Sequence, residues 1–342
     1  MEKKRRKSVT MEDVAAAAGV SVTTVSHVIN GTAKLLPETR LRVCQAMDAL
    51  GYLPQNSAAL NRGGRTIGVF TPDISNEFYA KTVQAIFEAA WEHDYAVMVC
   101  STQHHHKAGI SYVRSLLQQE IRGLIFLGST AEGRGAIETA AKQVPVVLGD
   151  HRLTDLPADC VGTDNAEIMR QLVARLVRSG YRRIGYVSED PALLNASDRY
   201  EGYRNGMEQH NLTPEPETVI LSEQLRLNKA ENAFSLMQER LKQGLKLPQV
   251  FLCSSDLIAM GVMTALKAAG YAIPRDIGVV GFDNISVSAY TEPPLTTVAQ
   301  NMRQLGRSCF AALLRRLEEK NRRPYEETVV RSKLILRGSV RL

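Results

Sequence analysis

The sequence predicts an α/β protein in two parts. An N-terminal all-α helix-turn-helix domain comes first, followed by a two-lobed α/β region built on two doubly wound parallel sheets. Three observations predict this. The first sixty residues hold three short helical segments divided by glycines and capping residues. From residue 66 onward, short apolar runs alternate with longer helical stretches, the mark of βαβ units. That alternation recurs on both sides of residue 164, with too many strands for one small sheet. A chain of 342 residues has room for two or three cores.

The helical part is legible residue by residue. Thr10 precedes Met11-Glu12-Asp13-Val14, and Asp13 stands three residues on, close to a capping box. The helix stops at Gly19, a C-terminal glycine. Ser21 can cap a second helix over 22–29, which Asn30-Gly31 ends. Pro37 suits the first turn of a third helix, which runs to Leu50 and closes at Gly51. Val14, Ala18, Val20, Val25 and Ile29 supply the contacts between the first two helices. Leu41, Met47 and Leu50 are expected to form the buried side of the third. Two short helices joined by a tight glycine turn make a helix-turn-helix, whose second helix can enter a DNA major groove. Its exposed residues are then Ser21, Thr23, Thr24 and, one turn later, His27. Hydroxyls donate or accept at base edges, and a Thr methyl meets a thymine methyl.

The charge distribution agrees. Residues 1–65 carry ten Lys/Arg against five Asp/Glu, so +5 of the net +6 lies in this segment. A polyanion partner is expected there. Lys7 in the basic arm, with Arg40 and Arg42 on the third helix, are the candidate phosphate contacts.

In the α/β region the apolar runs fall at 66–70, 95–100, 123–127, 144–148, 183–187, 250–253 and 278–282. Helices are expected near 76–92, 108–119, 165–179, 198–210, 229–243 and 255–269. The chain is expected to cross between lobes at 164–165, 291–294 and 322–326. The resulting division is 1–52 for the helix-turn-helix domain, 53–65 for a hinge or linker and 66–342 for the α/β domain. Lobe one covers about 66–163 and 293–323, and lobe two about 164–290 and 325–342. In such sheets ligands bind beyond the C-terminal strand ends. The side chains placed there are Arg199, whose planar fork suits hydroxyls or anions, and Asp283, which can accept from two hydroxyls. Asp150 and Ser255 end two further runs and serve either as ligand contacts or as helix caps. Phe78 or Tyr79 can pack on a ring face or in the core, and Trp91 is expected to pack.

At this point the sequence resembles the LacI/GalR family of bacterial repressors. The residues that carry the resemblance are Thr10-Met11-Glu12-Asp13-Val14-Ala15, Ala18-Gly19-Val20-Ser21, Thr24-Val25-Ser26-His27-Val28-Ile29-Asn30-Gly31 and Pro37-Glu38-Thr39-Arg40-Leu41-Arg42-Val43. Further along they are Val161-Gly162-Thr163-Asp164-Asn165, Arg199-Tyr200-Glu201-Gly202-Tyr203 and Val279-Val280-Gly281-Phe282-Asp283-Asn284. The recognition set Thr23, Thr24, His27 is most similar to the purine repressor branch. The resemblance implies a transcription regulator and not an enzyme. It implies a periplasmic-binding-protein-like α/β domain that holds a small effector between its lobes, with Arg199 and Asp283 at ligand-contacting positions. It further implies a homodimer on a near-palindromic operator, and a hinge helix that wedges a leucine into the minor groove. Leu60 is the wedge candidate, although the hinge is about two residues shorter than usual for the family. Leu36 stands where the family places a capping Ser. The chain ends without an added heptad repeat, so a dimer is expected and not a tetramer.

The effector is narrowed by an absence. The purine repressor stacks an aromatic on its base from the loop after the 219–221 strand, where this chain reads Ser222-Glu223-Gln224-Leu225; His151 likewise replaces a bulky aromatic. A sugar or sugar acid is therefore favoured over a purine. Two alternatives remain: a co-repressor-activated regulator of the opposite ligand sign, and a sugar-binding protein without DNA function.

Other chemistries lack support. Cys44, Cys100, Cys160, Cys253 and Cys309 are odd in number and widely spaced, which fits buried thiols in a reducing compartment better than metal or disulfide use. His104-His105-His106 has no partner at metal-ligand spacing and is expected to be a solvated loop. No nucleophile-elbow, zincin, Walker or dinucleotide motif occurs, and no cofactor is expected. Without a spanning segment or apolar leader, the chain is expected in the cytoplasm.

Overall fold

The computed structural model describes residues 9–30, 33, 35–52, 65–102, 106–128, 133–151, 156–191, 194–318 and 324–342. The chain divides into two compact units, Met1–Thr66 and Ile67–Leu342.

In the first unit the helices are α1 (Met11–Ala18), α2 (Val22–Asn30) and α3 (Pro37–Leu50). The capping box forms as expected: the Asp13 amide donates to Thr10 Oγ1 at 3.3 Å, and the Thr10 amide to Asp13 Oδ2 at 2.8 Å. Gly19 turns the chain with φ 63°, a left-handed conformation that glycine adopts without steric cost. The core gathers Val14, Ala15, Ala18, Val25, Val28, Ile29, Val43 and Ala46. The third helix presents a different face from the one expected. Leu41 is 59% exposed and Leu50 38%, while Val43 and Ala46 are buried. At 100° per residue Leu41 lies ~200° around the helix from Val43, on the opposite side. Leu50 shares the buried face but lies at the helix end, and Met47 is half-buried.

The second unit opens with β1 (Thr66–Thr71), α4 (Glu77–Glu92), β2 (Ala96–Ser101), α5 (His106–Leu117), β3 (Gly123–Leu127), α6 (Arg134–Ala141), β4 (Val146–Gly149) and β5 (Asp159–Thr163). It continues in a second lobe with α7 (Asn165–Arg178), β6 (Ile184–Ser188), α8 (Leu194–Gln209), β7 (Val219–Leu221), α9 (Lys229–Lys242), β8 (Val250–Cys253), α10 (Asp256–Ala268), β9 (Gly278–Asp283) and β10 (Thr296–Ala299). Helix α11 (Met302–Glu318) and β11 (Glu327–Val330) return to the first lobe, and β12 (Lys333–Ile335) closes the second. The sheet orders are β11-β5-β4-β3-β1-β2 and β12-β10-β9-β8-β6-β7. Each sheet has an apolar cluster on both faces, as a doubly wound fold requires.

Pairing moves two of the expected crossings between lobes. The strand over 296–299 runs parallel to β9, with Thr296 opposite Val280, so residues 291–294 lie within the second lobe. That crossing falls at Gln300-Asn301. The strand over 327–330 pairs with β5 of the first sheet, which moves the last crossing from 322–326 to Arg331-Ser332. Strand β12 then joins β10 antiparallel, so the second sheet has one reversed edge strand. The Asp164 carboxylate accepts from the Ser332 amide at 3.0 Å, tying the first crossing to the last.

Helices α6 and α11 were not anticipated. The repeat Met302, Leu305, Cys309, Phe310, Leu313 carries α11's helical spacing, and all five side chains are buried. Trp91 is 66% exposed and not packed as expected. It sits four residues after the exposed Phe87, one turn along the outer face of α4. Cys160, Cys253 and Cys309 are buried, Cys100 is half-buried and Cys44 exposed, so the buried-thiol reading holds for three of the five. His104 and His105 lie outside the described residues, and His106 opens α5. Among the described residues no helix is long and apolar enough to cross a membrane.

Candidate functional sites

In the first unit, Ser21 caps α2: its Oγ accepts from the Thr24 amide at 3.1 Å and lies 2.8 Å from the Thr24 hydroxyl. That cap orders the first turn of the helix that carries the candidate base-contacting residues. Thr23 is exposed, and Thr24 and His27 are half-buried. Arg40 and Arg42 are exposed on α3. Lys7, Leu60 and the rest of the 53–64 segment lie outside the described residues. Leu36 precedes α3 with no side-chain cap and is 73% exposed.

In the second unit, strand ends of both lobes converge on one buried polar cluster. Arg199, in α8, is 5% exposed. Its Nε donates to Asn165 Oδ1 at 2.9 Å and its Nη1 to the Ser254 carbonyl at 2.6 Å. Its Nη2 lies 3.7 Å from Asp283 Oδ1, and its plane stacks over Phe282 at 3.9 Å. Asp283 ends β9 and accepts from Gln300 Nε2 at 2.6 Å. Asp150 follows β4 in the opposite lobe and accepts from Asn195 Nδ2 at 2.9 Å. Both carboxylates sit at positive φ, 64° for Asp150 and 109° for Asp283. Such backbone costs on the order of 1–3 kcal/mol per residue and is retained where its surroundings enforce it.

Electrostatics bind the cluster together. Burial pushes Asp150 up to about 7, against the pull of Arg199. Burial raises Asp283 as well, again opposed by Arg199. Burial also opposes the charge on Arg199, but Asp283 and Asp150 outweigh it and raise the guanidinium above its usual range. Burial holds the Tyr79 hydroxyl protonated, well above 10, with Asp150 adding to the effect.

The first lobe places Tyr79 through local caps. Asn76 Oδ1 accepts from the Phe78 amide at 3.0 Å and starts α4. Phe78, 3% exposed, packs edge-on against Tyr79 at 5.1 Å in the lobe's core, which favours its packing reading. At Gly128, φ 52°, an added Cβ would come within 2.4 Å of the Tyr79 hydroxyl. Ser255 caps α10, accepting from the Ile258 amide at 3.3 Å. Its neighbour Ser254 is the serine that joins the cluster.

Sequence reasoning missed Glu189, Lys229, Asn165, Asn195, Ser254 and Gln300. Lys229 donates to Glu189 Oε1, and Ser254 Oγ donates to Glu189 Oε2 at 2.5 Å. Burial works against the Glu189 charge, but Lys229 and the Ser254 hydroxyl outweigh it and bring the group down to about 2. The strand-end rule that selected Asp283 applies equally to Glu189, one residue past β6. Lys229 and Gln300 carry no such signal, because they arrive from a helix start and an interlobe crossing.

Residues 10–55 match the model of bacterial regulatory proteins of the lacI family, and residues 173–340 match a periplasmic binding protein-like domain. The repressor PurR of Vibrio vulnificus is 30% identical over 339 residues, covering 97% of this chain and 98% of the relative. Among solved structures, the Lac repressor dimer bound to operator and an anti-inducer aligns with TM-score 0.80 at 27% identity, covering 97% of this chain and 99% of that one. A CelR–cellobiose complex aligns with TM-score 0.70 at 27% identity over the same shares. With its capped helix-turn-helix, its two doubly wound lobes and full-length relatives of this kind, the chain belongs to the LacI family of bacterial transcriptional regulators.

Proposed function

We propose that this protein is a homodimeric repressor of a near-palindromic operator, released when a sugar or sugar derivative enters the cleft between its lobes. The observation that carries the reading is the buried cluster drawn from both lobes, in which Asp150 and Asn195 meet and Arg199 and Asp283 share a field. A ligand seated there touches both lobes at once, so its affinity depends on how far they close, as ligand control of a two-state protein requires. In the DNA-binding unit, Thr23, Thr24 and His27 read bases, Arg40, Arg42 and Lys7 bind phosphates and Leu60 is the minor-groove wedge. For the dimer, α4 and the edge strand β2 present Phe87, Trp91, Met98 and Val99, each at least 41% exposed.

The PurR relative gives weight to a purine co-repressor. Against it, the loop after β7 offers no aromatic: Leu225 is buried, and Arg226 pairs with Asp190 at 2.7 Å.

Operator binding measured by fluorescence anisotropy across a salt series, with and without sugars and purines, tests the reading. Binding should weaken steeply with salt and weaken further with a sugar. Tighter binding with a purine would establish the co-repressor reading instead. Salt-independent or absent binding would remove the DNA function.

A further inference from the structure

The polar atoms of the cleft divide unevenly. Each donor side chain of the cluster already makes at least one hydrogen bond within the protein. Arg199 serves Asn165 and the Ser254 carbonyl, Lys229 serves Glu189, Asn195 serves Asp150 and Gln300 Nε2 serves Asp283. Two side-chain atoms of the cluster, Asp150 Oδ1 and Gln300 Oε1, are buried with no partner, and so is Nε2 of His151, the residue that follows Asp150. Their residues are, in that order, 1%, 6% and 2% exposed.

All three are acceptors. Gln300 Oε1 is an amide oxygen, and Asp150 Oδ1 accepts in the ionised form, which a cation beside it favours over the protonated one. His151 Nδ1 lies 2.8 Å from the Gly149 carbonyl, which can only accept, so the ring proton sits on Nδ1 and Nε2 presents a lone pair. The ring is neutral, since burial lowers it to about 4. The hydroxyls of Thr71 and Thr163, at the ends of β1 and β5, are unpartnered too and can turn either way. Buried acceptors without donors are costly, so a ligand that fits must bring donors.

Charge points the same way. Two cations, Arg199 and Lys229, face three carboxyl groups, Asp150, Glu189 and Asp283; the formal balance is −1 with all three ionised and 0 with Asp150, which burial raises to about 7, protonated. A ligand carboxylate or phosphate would add acceptors to acceptors and would find no uncompensated positive charge to offset its own. Arg199, the group that would attract such an anion, already gives Nε to Asn165 and Nη1 to the Ser254 carbonyl, stacks on Phe282 and holds Nη2 3.7 Å from the Asp283 carboxylate.

From these observations we infer that the effector is an aminated polyol without an acidic group, its ammonium against Asp150 Oδ1 and its hydroxyls on the remaining acceptors. This rests on the cleft being the effector site. It also narrows the choice between sugar and sugar acid, and excludes the acid.

The test is isothermal titration of the full-length protein at pH 7 with matched series in the gluco, galacto and manno configurations: neutral hexose, 2-amino-2-deoxyhexose and hexuronate. The amino sugar of one configuration should bind about tenfold tighter than its neutral partner, the margin of one added charge-assisted hydrogen bond, and the hexuronate should not bind. In Asp150→Asn the ratio between amino and neutral sugar should fall to about one. A hexuronate that binds as well as its neutral partner overturns the inference and leaves the sugar reading of the cleft standing. So does an amino sugar with no advantage. Heat from none of the nine compounds overturns both.

Discussion

The Asn195 side-chain amide donates to Asp150 Oδ2 at 2.9 Å, joining the end of β4 in one lobe to α8 in the other. The carboxylate that receives it is 1% exposed and keeps its second oxygen unpartnered. One titratable group thus takes part in a contact between the lobes.

Stability should therefore depend on pH in a predictable direction. Burial raises Asp150 to about 7 and Asp256 to about 8, both from 3.8. Above 3.8 the unfolded chain releases these protons while the folded protein holds them. The folded state binds more protons, and stability falls as pH rises through that window. His151 acts oppositely below 6.5, because its folded value is lowered to about 4 and the unfolded chain takes up the proton first. The melting temperature should rise as pH drops from 8 to 6.5, then rise more slowly, with two carboxyl groups acting against one imidazole. Asp150→Asn should flatten the rise. A wild-type midpoint that climbs with pH across 6.5–8 would contradict this.

Arg199→Ala should destabilise the second unit by about 3–5 kcal/mol, because it removes the buried cation beside Asp283 and leaves that carboxyl only its Gln300 hydrogen bond. Arg199→Lys should recover part of that loss but not the contacts to both Asn165 and the Ser254 carbonyl, which need the planar fork. Denaturant midpoints compare the two. Equal loss in both would mean that the fork's geometry, and not its charge, holds the site.

Glu77 forms a second link between the lobes. It accepts from the Ser286 amide and hydroxyl, each at 2.7 Å, while Lys81 donates to Ser286 Oγ at 2.8 Å. The pair is substantially exposed, so Ser286→Ala should cost less than about 1 kcal/mol. Its effect should appear instead in effector affinity, since the contact holds the lobes at one separation. A calorimetric titration with the best-binding sugar checks this, and an unchanged affinity would make Glu77–Ser286 a passive contact.

Leu36→Ser should stabilise the first unit by about 1 kcal/mol. The native leucine is 73% exposed and leaves the first turn of α3 without a side-chain cap, which a serine hydroxyl supplies. Thermal unfolding followed by circular dichroism reads the gain. No change would show that the α3 amides already have other partners.

Local signals made much of the chain legible. The capping box at Thr10 and Asp13, the turn at Gly19 and the proline at the start of α3 act within four residues, and each formed as its chemistry requires. Strand ends announced Asp150 and Asp283, because a parallel strand places its last residue at the ligand-facing edge whatever its neighbours are. By itself, then, the sequence determined the helix-turn-helix, the two-lobed α/β class and two carboxylates of the buried polar cluster. Tertiary structure decided what depends on pairing between distant segments. The crossings at Gln300 and Ser332 follow from hydrogen-bond registers with β9 and β5, which no local pattern encodes. The buried face of α3 depended on where α1 and α2 left room. The pairing of Asp150 with Asn195 and of Asp283 with Gln300 likewise joins residues 45 and 17 positions apart, which no local pattern encodes.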